Sequence, residues 1–206
     1  MRYLKIAFVP ILVLLAQIVV PADLRAGAPT DQVRQTADQV LALLQDARFK
    51  GAGKESQRRD RLREIIGNRF DFEEMSKRSL GANWRRVGRD EQQRFVQLFT
   101  DFLEKSYADQ IESYDGEKIA YGREQLAQDQ AEVDSKIITK KGREVTVNYK
   151  LRSAGGDWKV YDVVIENVSL VNNYRSQFNR ILAKATFNEL LKKLEAKSPE
   201  IRDARG

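Results

Sequence analysis

The chain contains no cysteine and no histidine. The missing histidine removes Ser-His-Asp and Cys-His catalytic sets and nearly every zinc or copper site. It also removes the side chain whose proton exchange lies nearest neutral pH. Without cysteine the fold rests on packing alone, which a chain of 206 residues can supply. Phosphate loops are missing too. There is neither a G-x-G-x-x-G nor a Walker sequence, and Gly51-Ala52-Gly53 reads as a helix break. Repeats and low-complexity linkers do not occur. No metal site, cofactor motif or catalytic residue is expected from this inventory.

The one long apolar run, Ile6 to Val20, follows Arg2 and Lys5 and precedes small residues at Ala22 and Ala26-Gly27-Ala28. That order is the pattern of a secretory leader, and the run is shorter than the about 20 residues a bilayer span needs. The expectation is a leader over 1–28, a single domain over 29–197 and a disordered tail over 198–206, in an exported, soluble protein. Net charge is +6 for the full chain. So mild a balance permits contact with anionic surfaces without calling for nucleic acid. The run Arg58, Arg59, Arg61 and Arg63 reads as a solvated helix face, with lipid phosphates or an acidic partner as alternatives. Aromatics do not interleave with it, so single-stranded nucleic acid does not fit.

Helical periodicity covers residues 30–48, with Val33, Ala37, Val40, Leu41 and Leu44 on one face and Thr30 or Asp31 as cap. A second helix spans 55–69 with a Leu62, Ile65, Ile66 stripe. Asp71 opens a short helix that Gly81 closes. Asp90 is expected to cap a long helix carrying Phe95, Phe99, Phe102 and Leu103, then Tyr107, Ile111 and Tyr114. Beyond Gly116 the period becomes two. Ile119 and Tyr121 mark one strand and residues 133–139 another. Val145, Val147, Tyr149 and Leu151 alternate with polar neighbours on a third. On the fourth, plain alternation puts Trp158, Val160 and Val164 on one face and Tyr161, Val163 and Ile165 on the other. Residues 170–197 read as one helix with Tyr174, Phe178, Ile181, Leu182 and Leu190 inward. Helices, then hairpin-linked strands, then a helix predict an α+β fold with a twisted, mostly antiparallel sheet.

Two carboxylates stand out. Asp162 interrupts an apolar strand, so a partner is expected for it, either an arginine or a backbone donor. Asp162 and Glu166 are also the candidates for a general base, were the chain an enzyme. The larger question concerns the apolar groups on helix and sheet alike: Phe95, Phe99, Phe102, Tyr174 and Phe178 at helical spacing, and Val147, Tyr149, Val163, Ile165, Val168 and Leu170 on or next to strands. They make either a filled core or the wall of a container for a lipid tail, and an adaptor protein with fully packed stripes is the third reading.

Two blocks resolve the choice by resemblance. "RFDFEEMSKRSLGANWRRVGRDEQQRFVQLFTDFLEKSYADQIESY" resembles the helical segment of the MlaC family of periplasmic phospholipid shuttles, the toluene-tolerance auxiliary proteins of ABC transporters. It does so through Phe70-Asp71-Phe72, Met75, Leu80-Gly81, Trp84, Phe95, Phe99 and Tyr107. "GDWKVYDVVIENVSLVNNYRSQF" resembles that family's closing signature through Trp158, Val160, Asp162, Val168-Ser169-Leu170, Asn173-Tyr174-Arg175 and Phe178. Asn167 stands where the family usually has glycine; asparagine tolerates left-handed backbone, so the turn is expected to survive.

The resemblance implies a non-catalytic periplasmic carrier. Its helices and sheet would enclose an apolar pocket for phospholipid acyl chains, lined by the aromatic and aliphatic residues just named. Lipid would pass between an outer-membrane lipoprotein complex and the substrate-binding subunit of an inner-membrane ABC transporter, maintaining outer-membrane lipid asymmetry. A branch of the family occurs in hopanoid producers, which leaves a polycyclic lipid as alternative cargo. In this reading Val163 and Ile165 line the cavity and Val168 and Leu170 floor it. Tyr174 and Phe178 close it, and Arg175 pairs with Asp162.

Overall fold

The computed structural model describes residues 28–114, 116–196 and Ile201. Residues 1–27 of the expected leader (1–28) and most of the expected tail lie outside the described residues. Ile201, inside that tail, is buried against the core at 4% exposure.

Four helices precede the sheet: α1 (Pro29–Gln45), α2 (Glu55–Arg69), α3 (Phe72–Leu80) and α4 (Arg89–Glu112). A 3₁₀ turn at Gly81–Arg86 joins the last two. Five strands follow, β1 (Lys118–Ala127), β2 (Gln130–Ile138), β3 (Glu144–Ala154), β4 (Asp157–Ile165) and β5 (Val168–Ser169), paired antiparallel in sequence order. The chain closes with α5 (Leu170–Leu182) and α6 (Phe187–Glu195). The α+β class with an antiparallel sheet is therefore as the element order predicts.

Several boundaries move for local reasons. The first helix begins at Pro29, where a missing N–H costs nothing, and has no side-chain cap of its own. Instead the amide and hydroxyl of Thr30 both donate to the Glu124 carboxylate on β1, so the sheet caps the helix. Asp90 does not cap α4: the helix starts after Gly88, whose N–H donates to Glu91. The final helix is two. Thr186 and Glu189 form a reciprocal capping box that starts α6 afresh after α5 ends.

Asp71 behaves as expected and does more. Its side chain accepts from the Glu74 amide to start α3, and its other oxygen takes the Arg152 guanidinium. Its own N–H donates to the Val160 carbonyl, and Phe70 bridges Val160 in parallel. The α2–α3 corner is thereby pinned to β4. At the far end of α3, Gly81 sits at φ +56 with the Arg175 side chain directly over its missing Cβ. A side chain there would meet both strain and the guanidinium.

Two bulges set the sheet's faces. One lies in β1 between Tyr121 and Glu124, the other opposite Lys150 and Leu151. The second overturns plain alternation on β4. Val163 pairs with Tyr149 and Val160 with Leu151, so Val160 shares the face of Val163 and Ile165, while Val164 lies opposite. The β4–β5 turn uses Glu166 at φ +48 and Asn167 at φ +67. The left-handed geometry expected of Asn167 is present, and Glu166 adopts it too.

Candidate functional site

The sheet's inward face is built in rows. Nearest the β2–β3 turn stand Ile119, Ile137 and Val145, then Tyr121, Ser135, Val147 and Ile165, then Val133, Tyr149 and Val163. The opposite face carries Lys136, Thr146, Asp134 and Asn148 at the alternate positions. Val147, Tyr149, Val163 and Ile165 are thus brought onto one surface, as their spacing predicts. Burial raises the Tyr149 phenol above its usual range, against a hydrogen bond with Ser135. It also pushes Tyr121 up to about 12, with Tyr149 and Asp38 adding to the effect and Arg34, 4.9 Å over the ring, opposing it. These phenols stay neutral and line the face as apolar groups with one polar tip.

The helical aromatics do something else. Phe95 stacks on Phe99 at 5.5 Å between ring centroids, and Phe178 meets both edge-on. Tyr174 takes Phe99 at 5.2 Å and Phe102 at 5.7 Å, both edge-on. Tyr174 and Phe178 have no exposed surface at all. This is a filled knot joining α4 and α5, with ring geometry close to the favoured edge and offset arrangements. Leu170 is buried at the head of α5. Val168, by contrast, is 40% exposed, opposite Ile165 on the short β5.

Two clefts flank α2. The first, about 530 Å³, is lined by Leu44, Lys50, Arg58, Glu112, Tyr114 and Lys140, among others. It sits at the sheet end where β2 turns into β3, so the Ile119–Ile137–Val145 row is the first apolar row inward from it. Sequence reasoning had these residues on strands and stripes but not at a site. The missing signal was their register to the turn. The second, about 430 Å³, has Leu62, Ile66, Ala108 and Ile111 between α2 and α4. The residues expected to line a pocket border neither cleft.

The arginine run on α2 is not a free face. Arg58 donates to the Phe49 carbonyl and to Glu112. Arg59 reaches Glu112 and Asp109, and Arg63 reaches Glu104 and Asp101, all on α4. Only Arg61 pairs within its own helix, with Glu64. Burial raises the Glu112 carboxyl, but hydrogen bonds from Arg59 and Arg58 outweigh it and hold the group below the ordinary 4.5. A depressed folded value means stability that is present above the unfolded value and lost as pH falls through the folded one. Wild type should therefore melt about 2–4 °C above Glu112→Gln at pH 7. The two melting curves should converge as pH drops below 4.5. A gap that persists in acid would mean that Glu112 contributes by packing.

Both candidate bases are already engaged, Asp162 in the interior and Glu166 at the surface. Asp162, 4% exposed, accepts from the Ser169 hydroxyl at 2.6 Å and the Val171 amide at 3.1 Å. The expected Arg175 pair is not formed: Arg175 donates to the Arg78 carbonyl at 2.7 Å beside Gly81. The Ser169 hydroxyl and the Val171 amide are nearer in sequence and satisfy the carboxylate without burying a second charge. Glu166 accepts from the Thr146 amide and hydroxyl, which hold its carboxyl below the usual range. That shift runs opposite to what a base working near neutral pH needs. Among the described residues no cluster of acidic side chains could hold a metal, and no helix is long and apolar enough to cross a membrane.

The chain is similar to several known proteins. A toluene tolerance protein of Pseudomonas putida is 27% identical over 182 residues, 87% of this chain and 84% of that protein. An intermembrane phospholipid transport system binding protein, MlaC, of Haemophilus influenzae is 24% identical over 192 residues, 89% of this chain and 88% of its own length. A solved phospholipid-binding protein from Ralstonia solanacearum, in complex with a phospholipid, superposes with a TM-score of 0.72 at 25% identity. That match covers 82% of this chain and 96% of the other. The MlaC protein family matches residues 34–196, the corner at Asp71, the aromatic knot and the whole sheet included, and the chain belongs to it.

Proposed function

We propose that this protein is a periplasmic phospholipid carrier without catalytic activity. The acyl chains lie along the inward face of the sheet, over Ile119, Ile137 and Val145 and on to Val147, Tyr149, Val163 and Ile165. The polar end remains at the 530 Å³ cleft among Lys50, Arg58 and Lys140. The observation that supports this reading is the in-register apolar face of the sheet, whose first row lies next to the turn that carries Lys140, a residue of the polar cleft. A phospholipid-bound protein of the same fold adds to it. Enclosure alone suffices as mechanism, since burying hydrocarbon gains roughly 25 cal/mol per Å² without directional chemistry. Lipid is exchanged between an outer-membrane lipoprotein complex and the substrate-binding subunit of an inner-membrane ABC transporter, which maintains lipid asymmetry. The aromatic knot holds α4 to α5 and frames the container from outside.

Native mass spectrometry of the purified protein, with organic extraction, tests this directly. A diacyl phospholipid near one per chain is expected; a hopanoid would keep the mechanism and change the cargo. A ligand-free protein that also takes no labelled phospholipid from vesicles would overturn the reading. Val145→Asp places a charge on the first apolar row. It should reduce extracted lipid about tenfold or more while leaving a folded protein, because a carboxylate desolvated against acyl chains costs several kcal/mol.

A further inference from the structure

The cleft at the sheet end is ringed by lysines that no sequence pattern marked. Lys50 and Lys140 line it. Lys118 opens β1 in register with Ile138, immediately before the Thr139–Arg143 turn that carries Lys141. Lys54 begins α2 beside Gly51, and its ammonium reaches only the Gln57 amide. Most carboxylates at this end are already engaged. Glu112 takes Arg58 and Arg59, Glu144 takes Lys136, and Glu166 is held by Thr146, with Arg143 nearby. Glu117 stands among the lysines. Glu117 and Lys140 are engaged as well, and the arginines of α2 are spent on α4.

We propose that this lysine ring is a docking surface for an anionic lipid bilayer, which it meets with the mouth of the cleft facing the membrane. The proposal rests on the reading of that cleft as the lipid's entrance. A bilayer fits better than a protein partner because the apolar groups at the cleft, Leu44 and Tyr114, are half-buried and do not stand out from the rim as anchors. Among the described residues the exposed large hydrophobics are Leu126, at the opposite hairpin, and the single Val168. Protein interfaces gather their affinity from buried aromatic and aliphatic groups. An anionic membrane surface needs only clustered basic side chains, each worth about fivefold in affinity near the surface and screened by salt.

The test is flotation of the protein with vesicles of phosphatidylglycerol and phosphatidylethanolamine, against vesicles of phosphatidylcholine alone, at low and high salt. Binding to the anionic vesicles only, lost at high salt, is expected. Lys118→Glu with Lys141→Glu should weaken it on the order of thirtyfold or more. Arg85→Glu with Arg86→Glu, an equal change of charge on the 3₁₀ turn, should leave it within about twofold. Extracted cargo and melting temperature are read on the same samples, which separates this proposal from the carrier reading. Cargo retained with no anionic binding overturns the docking surface and leaves the carrier intact. Equal loss in both double variants reduces the effect to net charge and overturns it too. Unchanged vesicle binding with abolished transfer to a purified transporter subunit would make the face a protein-docking one, against the proposal.

Discussion

Phe99→Ala should destabilise the protein by about 4 kcal/mol, a fall in melting temperature of roughly 8–16 °C. Phe99 is 1% exposed and touches three rings: Phe95 at 5.5 Å, Tyr174 at 5.2 Å and Phe178 at 5.4 Å. Truncation removes the transfer energy of the ring and leaves a cavity among side chains that are themselves interlocked and cannot collapse inward. Ring pairs in edge geometry add about 0.5–1.5 kcal/mol each beyond area. The same variant decides whether the knot is core or container. If it is core, the lipid extracted per folded molecule stays at the wild-type level. If Phe99 touches acyl chains, lipid falls while the melting temperature of the empty protein barely changes. Thermal unfolding and organic extraction on one preparation distinguish the two.

Asp162→Ala should cost about 3 kcal/mol, or roughly 6–12 °C in melting temperature. The carboxylate serves the sheet-to-helix junction from both oxygens, taking the Ser169 hydroxyl and the Val171 amide. Ser169 in turn accepts from the Asn172 amide and caps α5. Removing the carboxylate leaves a buried amide without an acceptor and loosens the cap above it, in the first turn, where negative charge favours the helix dipole. Ser169→Ala should cost less, about 1 kcal/mol, because the Val171 bond survives. Arg175→Ala should not reproduce the Asp162 loss, since the two do not pair. Equal destabilisation by Asp162→Ala and Arg175→Ala in urea titrations, with no further loss in the double variant, would contradict the assigned partners.

Particular residues show where sequence reading succeeds. Asp71 and Gly81 bound α3 as their side chains, or lack of one, dictate. The left-handed backbone of Asn167 follows from asparagine's tolerance of that region. Val147, Tyr149, Val163 and Ile165 share a face because period two places them there. Reading stops short where a neighbour from elsewhere intervenes. Thr30 does not cap its own helix because Glu124 caps it from the sheet. Val160 changes face because a bulge inserts one residue, which alternation alone does not reveal. The α2 arginines looked solvated because their carboxylates lie some 40 to 54 positions away, on α4.

The sequence by itself determined the element types, both ends of α3 and, through two motif blocks, the family. These depend on interactions within a few residues, where period, cap and turn chemistry act. Only the tertiary structure decided that the aromatic stripes of α4 and α5 pack against each other while Leu62 and Ile66 border a cleft. Packing density depends on what lies across the gap, and nothing in a stripe's own spacing records that. The same holds for charge: whether an arginine is free or spent is settled by the carboxylate that the fold brings opposite it.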